Sequence, residues 1–127
     1  MRQETVNGCT VIRASEQADP TRLGPAESEG AYVALVGVFP PGEPGPPPHT
    51  HPTTDEAFYL ASGEATFLLG DRELTMKSGS LVFVPRGVVH TVWNSGSDPV
   101  HGVILISPGD AEHSFVPVDP TSPTASV

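Results

Sequence analysis

The sequence predicts a single all-β domain, a barrel or sandwich of short strands. Three observations predict it. The chain has 127 residues, the size of one domain. Its 15 prolines and 13 glycines cut the apolar residues into short runs, the punctuation of strands and turns. No long stretch keeps the 3.6-residue period of an amphipathic helix.

In chain order, residues 6–12 read as a first strand, and the polar residues 14–30, with Pro20, Gly24, Pro25 and Gly30, read as a loop. Residues 31–39 form a strongly apolar strand. The proline-rich run 40–48 lacks most backbone donors and is stiff and extended, a rigid loop within the domain. A short strand at 49–51 and a turn at 52–55 lead to a strand at 56–60. Further strands follow at 65–69, 73–76, 81–84, 88–93 and 100–107, separated by turns at Ser62-Gly63, Gly70-Asp71, Ser78-Gly79, Pro85-Arg86-Gly87 and residues 94–99. The chain thus divides into an N-terminal strand and loop (1–30), a barrel (31–107) and a tail (108–127) whose last residues, 119–127, are expected to be disordered.

Charge and cysteine content narrow the function classes. Fifteen acidic residues against six basic ones give a net charge of −9. Such a chain repels phosphate backbones and anionic lipid, which argues against nucleic acid and membrane surfaces as partners. The single cysteine, Cys9, cannot form an internal disulfide. No run approaches the roughly 18 apolar residues of a membrane span, and residues 1–5 precede no apolar signal-type segment. The cytoplasm is the expected setting.

The chemistry concentrates in four residues. His49 and His51 are two apart, so on a strand they share one face. A turn then returns the chain with a carboxylate, Glu56, on a neighbouring strand, where Glu56, Phe58 and Leu60 share the inward face. Asp55 is the rival carboxylate, but choosing it would turn Tyr59 inward and Phe58 outward. His90 lies on a later strand with Val88 and Val92 on its own face. Three imidazoles and one carboxylate on a barrel interior make a site for iron, manganese, nickel, cobalt, copper or zinc rather than calcium or magnesium.

The spacing H-x-H-x4-E-x6-G is met by His49, His51, Glu56 and Gly63. The spacing G-x5-P-x-G-x2-H-x3-N is met by Gly79, Pro85, Gly87, His90 and Asn94. With these two motifs in this order, the chain resembles the cupin superfamily, and its wording around residues 55–64 and 83–90 resembles small cupins described as quercetin-dioxygenase-like. The pattern departs at position 43, where the family usually has glycine and this chain has Glu43. The resemblance implies a double-stranded β-helix, or jelly-roll barrel. It also implies one divalent transition metal held by His49, His51, Glu56 and His90.

As implied by the resemblance, the activity is that of a metal-dependent dioxygenase, with Glu56 as ligand and proton acceptor. A redox-neutral cyclase, isomerase or decarboxylase is the alternative, and a binding or sensing module without turnover is a further one. Phe58 and Val92 are expected beside the metal as pocket residues, whereas Phe67, Phe83 and Trp93 read more simply as core. His101 and His113 are acid–base candidates whose simpler reading is a rim or surface position. None of the basic residues (Arg2, Arg13, Arg22, Arg72, Lys77, Arg86) falls on an inward strand position, so the expected substrate is small, neutral or weakly acidic, largely apolar and oxygen-chelating. A homodimer is expected, because a short barrel leaves sheet edges to cover and the first strand can cross to a neighbour.

Overall fold

In the computed structural model, which describes residues 2–17, 19–109 and 116–118, β1 (Gln3–Val6) and β2 (Cys9–Ile12) pair as an antiparallel hairpin. The single strand expected over residues 6–12 is therefore two half-strands. The reason is local: Asn7 and Gly8 have φ of 49° and 82°, the left-handed pair that a two-residue hairpin turn requires. The expected loop at 14–30 likewise contains β3 (Thr21–Leu23) and one helical turn, α1 (Pro25–Ser28). Proline at the start of α1 supplies its φ, and Glu27 folds back to accept from the Gly24 N–H.

The remaining strands are β4 (Val33–Phe39), β5 (His49–Thr50), β6 (Asp55–Ser62), β7 (Glu64–Leu69), β8 (Arg72–Lys77), β9 (Leu81–Val84), β10 (His90–Trp93), β11 (Val100–Ser107) and β12 (Val116–Pro117). Together with β3 they form two five-stranded antiparallel sheets, ordered β3-β4-β11-β6-β9 and β12-β5-β10-β7-β8. This all-β arrangement is a jelly-roll, as the sequence predicts. β9 and β11 have the bounds read from the sequence. β10 starts two residues later than expected, because the Gly87 N–H is engaged by the His51 carbonyl and Val88 N–H closes back on Pro85.

Strand parity sets the core. Phe58, Leu60, Ala65, Phe67, Val82, Val84, Val92 and Val100 are buried as one cluster. Phe58 is 6% exposed and Tyr59 is 41% exposed, so β6 turns the face carrying Glu56 inward. Phe83 departs from the core reading. It is 64% exposed, because its neighbours Val82 and Val84 take the two inward positions of β9.

The proline-rich loop is tied down by backbone. Glu43, at the motif's departure, donates its N–H to the Pro40 carbonyl and accepts from the Asn94 N–H. The left-handed conformations fall on its neighbours, Gly42 at φ 78° and Gly45 at φ 71°. Asn94 is 1% exposed and gathers three segments: its amide donates to the Phe39 and Asp98 carbonyls, and its side-chain oxygen accepts from the Gly96 N–H.

Candidate metal centre

Three strands and the residue just after β5 bring the four predicted side chains together. His49 stands directly opposite His90 in the β5–β10 pairing. Glu56 enters from β6 in the other sheet, paired with Val84 and Ile106. His51 follows the end of β5. All four residues are buried, and one ligand atom from each lies within 4.8 Å of the others.

The orientation of two imidazoles follows from their hydrogen bonds. His49 Nδ1 lies 2.8 Å from the Pro47 carbonyl oxygen, and His90 Nδ1 lies 2.9 Å from that of Val88. A carbonyl can only accept, so each Nδ1 carries a proton, and in the neutral ring each Nε2 then keeps its lone pair. His90 Nε2 faces Glu56 Oε1 at 3.3 Å, and the same oxygen contacts His51 Nε2. With neutral rings, nitrogen and oxygen lone pairs would face one another in a buried site, an arrangement that a bound cation satisfies. Adjacent ligands of one ion, at about 2.0–2.2 Å from it, fall roughly 3 Å apart. The cluster's donor set and spacing therefore fit a divalent transition metal, and sheltered carbonyl partners on the second ring nitrogens are typical of metal-ligating histidines.

The electrostatics agree. Burial, and after it the neighbouring His90 and His51, hold His49 below the ordinary histidine value of 6.5, against the opposing pull of the Pro47 carbonyl and Glu56. The neutral imidazole that a metal requires is thus favoured. Asp55, the rival carboxylate, is engaged elsewhere. It binds the Arg86 side chain at 3.2 and 3.3 Å and accepts from the Arg86 backbone N–H at 2.9 Å. These bonds hold its carboxyl below the usual carboxylate range.

Phe58 and Val92 are both buried in the hydrophobic core cluster, and the Phe58 ring lies 6.3 Å from that of His90. None of the six basic residues is buried. His101 is on the outer side of β11, exposed and hydrogen-bonded to Ser62, away from the four-residue cluster. His113 and residues 119–127 lie outside the described residues. One feature has no sequence signal: Thr54, in the turn between His51 and Glu56, is 1% exposed and its hydroxyl is the sole buried side-chain polar atom without a partner among the described residues. The Pro47 and Val88 carbonyls that orient the rings are equally invisible to sequence reading, since any residue carries one.

Comparison with known proteins places this geometry in context. Residues 35–107 match the family model described as Cupin domain. The chain is 33% identical over 122 residues to a germin-like protein of Oryza sativa subsp. japonica, covering 91% of this chain and 52% of that protein. It thus spans about half the length of that relative. A solved structure of a conserved protein with a double-stranded β-helix domain from Klebsiella pneumoniae aligns at TM-score 0.65 and 27% identity, over 85% of this chain and 90% of that one. The structure of DMSP lyase DddQ from Ruegeria pomeroyi aligns at TM-score 0.59 and 30% identity, over 73% of this chain and 46% of that one. Among the described residues, no helix is long and apolar enough to cross a membrane.

Proposed function

The chain belongs to the cupin family, and from that premise we propose that it is a metal-dependent dioxygenase acting on a small, neutral or weakly acidic, largely apolar compound that chelates through oxygen. His49, His51, Glu56 and His90 hold one ion of iron, manganese, nickel, cobalt, copper or zinc. The observation that carries this reading is the convergence of four buried ligand atoms within 4.8 Å. With three neutral imidazoles and one carboxylate around it, a bound divalent ion would keep a net charge of about +1, which would favour an anionic or enolic substrate oxygen; it would supply Lewis-acid chemistry and, for any of these metals but zinc, redox chemistry.

The chain's own residues do the rest. Glu56 Oε1, shared between His51 and His90, is placed to take a proton from an acidic substrate hydroxyl. Phe58 and Val92 provide an apolar wall beside it, which excludes water and favours a flat apolar substrate. The lack of a buried Arg or Lys argues against phosphorylated substrates.

A second reading, redox-neutral lyase or decarboxylase chemistry, is favoured by the 30% identity to the DMSP lyase. Oxygen-electrode and product assays of metal-loaded protein with catechols and flavonols, in air and under argon, separate the two. Oxygen uptake that accompanies substrate loss, and disappears in His90→Ala, supports the dioxygenase. Substrate loss that proceeds equally under argon replaces it with the lyase reading.

We further propose that the working unit is a homodimer. The outer face of the sheet β3-β4-β11-β6-β9 exposes Val36, Tyr59, Leu81, Phe83 and Leu105. For a chain of net charge −9, a face of uncharged apolar side chains is where two copies can meet with least repulsion.

A further inference from the structure

An apolar cavity of about 330 Å³ lies in the barrel beyond the metal-ligand cluster, and none of His49, His51, Glu56 or His90 lines it. The register gives its depth. Along β6 the inward positions run Glu56, Phe58, Leu60, and Leu60 is paired with Gly102 of β11. Leu60 is therefore two inward layers, about 13 Å, from Glu56. Between them Phe58 meets Phe67 edge-to-face, with ring centroids 5.3 Å apart, and both rings line the cavity.

The cavity exists because two side chains are missing. Gly37 of β4 pairs directly with Gly102, and both have inward parity, between Leu35 and Phe39 on one strand and Val100 and Ile104 on the other. Glycine inside a strand costs conformational entropy and forfeits packing. Backbone conformation does not demand it here, since neither residue has positive φ. Space does not demand it at Gly37 either, where an added Cβ would meet nothing within 4 Å. A larger residue would fit at Gly37 and fill the core, whereas at Gly102 an added Cβ would come within 3.3 Å of the Tyr59 carbonyl oxygen, so Gly37 is the position that leaves the core open.

We propose that this chamber is a second ligand site, separate from the metal centre, for a neutral apolar molecule the size of a substituted benzene. Its volume exceeds the roughly 150 Å³ of an engineered apolar cavity that takes up benzene. It reaches the lower end of natural ligand pockets, roughly 300 Å³. Tyr59 has the only polar side-chain atom among the lining residues, so a charged ligand would lose its hydration without replacement. Val36, Val38, Tyr59 and Val103, of outward parity, also border the space, which therefore reaches the outer side of the sheet.

The test is calorimetric titration of the full chain with toluene, propylbenzene and butylbenzene, which carry no metal-coordinating atom. Saturable binding of one molecule per chain is expected, unchanged by metal loading and unchanged in His90→Ala. Gly37→Leu should weaken it about tenfold or more without lowering thermal stability, and Gly37→Ala by less. Should Gly37→Leu fail to fold by circular dichroism, the graded loss in Gly37→Ala carries the test. Leu81→Ser, exposed on the outer face and outside the cavity lining, should leave affinity unchanged. Absence of saturable binding in the wild type, equal affinity in both Gly37 variants, or a larger loss in Leu81→Ser than in Gly37→Ala would overturn the proposal. Loss of metal binding alone, with alkylbenzene binding intact, would overturn the metal reading and leave the chamber standing.

Discussion

Gly45 packs against Val92 so closely that a Cβ on Gly45 would collide with the Val92 carbonyl oxygen. The contact joins the proline-rich loop to the strand that carries His90, and it explains how the loop is held although the family's usual glycine is replaced by Glu43. Gly45 also has φ of 71°, where an L side chain is strained. Gly45→Ala should therefore lower unfolding stability by at least about 2 kcal/mol in denaturant titration, because backbone cannot yield as a flexible side chain would. Gly70→Ala is the comparison: φ is 64° but nothing lies within 4 Å of the added Cβ. It should cost about 1 kcal/mol.

Asn94 should be an equally sharp determinant of stability. Replacing it with alanine removes partners from the Phe39 and Asp98 carbonyls and from the Gly96 N–H. Buried groups left unpaired cost about 1–3 kcal/mol each, less where water can reach them. Asn94→Ala is expected to lose about 2–3 kcal/mol in the same titration. A loss below the scatter of surface substitutions would show that these bonds are not what closes the loop.

The Asp55–Arg86 pair sets a pH dependence. The folded-state pKa of Asp55 lies below its ordinary value of 3.8, chiefly through the Arg86 side chain. A depressed carboxyl stabilises the fold above its unfolded pKa, and that contribution disappears as pH falls through the folded value. The melting temperature of Asp55→Asn should thus lie below that of wild type at neutral pH and converge with it below pH 3.8. A gap that persists undiminished in acid would assign the effect to something other than ionisation.

The dimer proposal is read from mass. Light scattering coupled to size exclusion should give twice the 13.3 kDa chain for wild type and the single-chain mass for Phe83→Lys. Phe83 is 64% exposed, so the substitution perturbs no core contact. A wild-type monomer would end this reading.

Much of the site was legible because strand parity is a strict rule. Glu56 inward entails Phe58 inward and Tyr59 outward, and the burial of all three agrees. The same rule rejects Asp55, and the structure pairs it with Arg86 instead. The hairpin at Asn7–Gly8 carried a readable signal, an Asn-Gly turn, that a continuous reading of residues 6–12 passed over. Other features have no local signal. β12 exists through pairing Val116 and Pro117 with Thr50 and His49, a partnership fixed by tertiary approach. The cavity at Gly37 and Gly102 depends on a cross-strand register between residues 65 positions apart, and each glycine alone reads only as a weak point in a strand.

The central claim is that His49, His51, Glu56 and His90 hold one metal ion. Elemental analysis of untagged protein, after reconstitution and removal of loosely bound ions, tests it most directly. The predicted result is close to one equivalent per chain of iron, manganese, nickel, cobalt, copper or zinc, falling to background in His90→Ala while the variant stays folded. Background metal in the wild type after reconstitution with each of these ions, or an undiminished equivalent in folded His90→Ala, would contradict it.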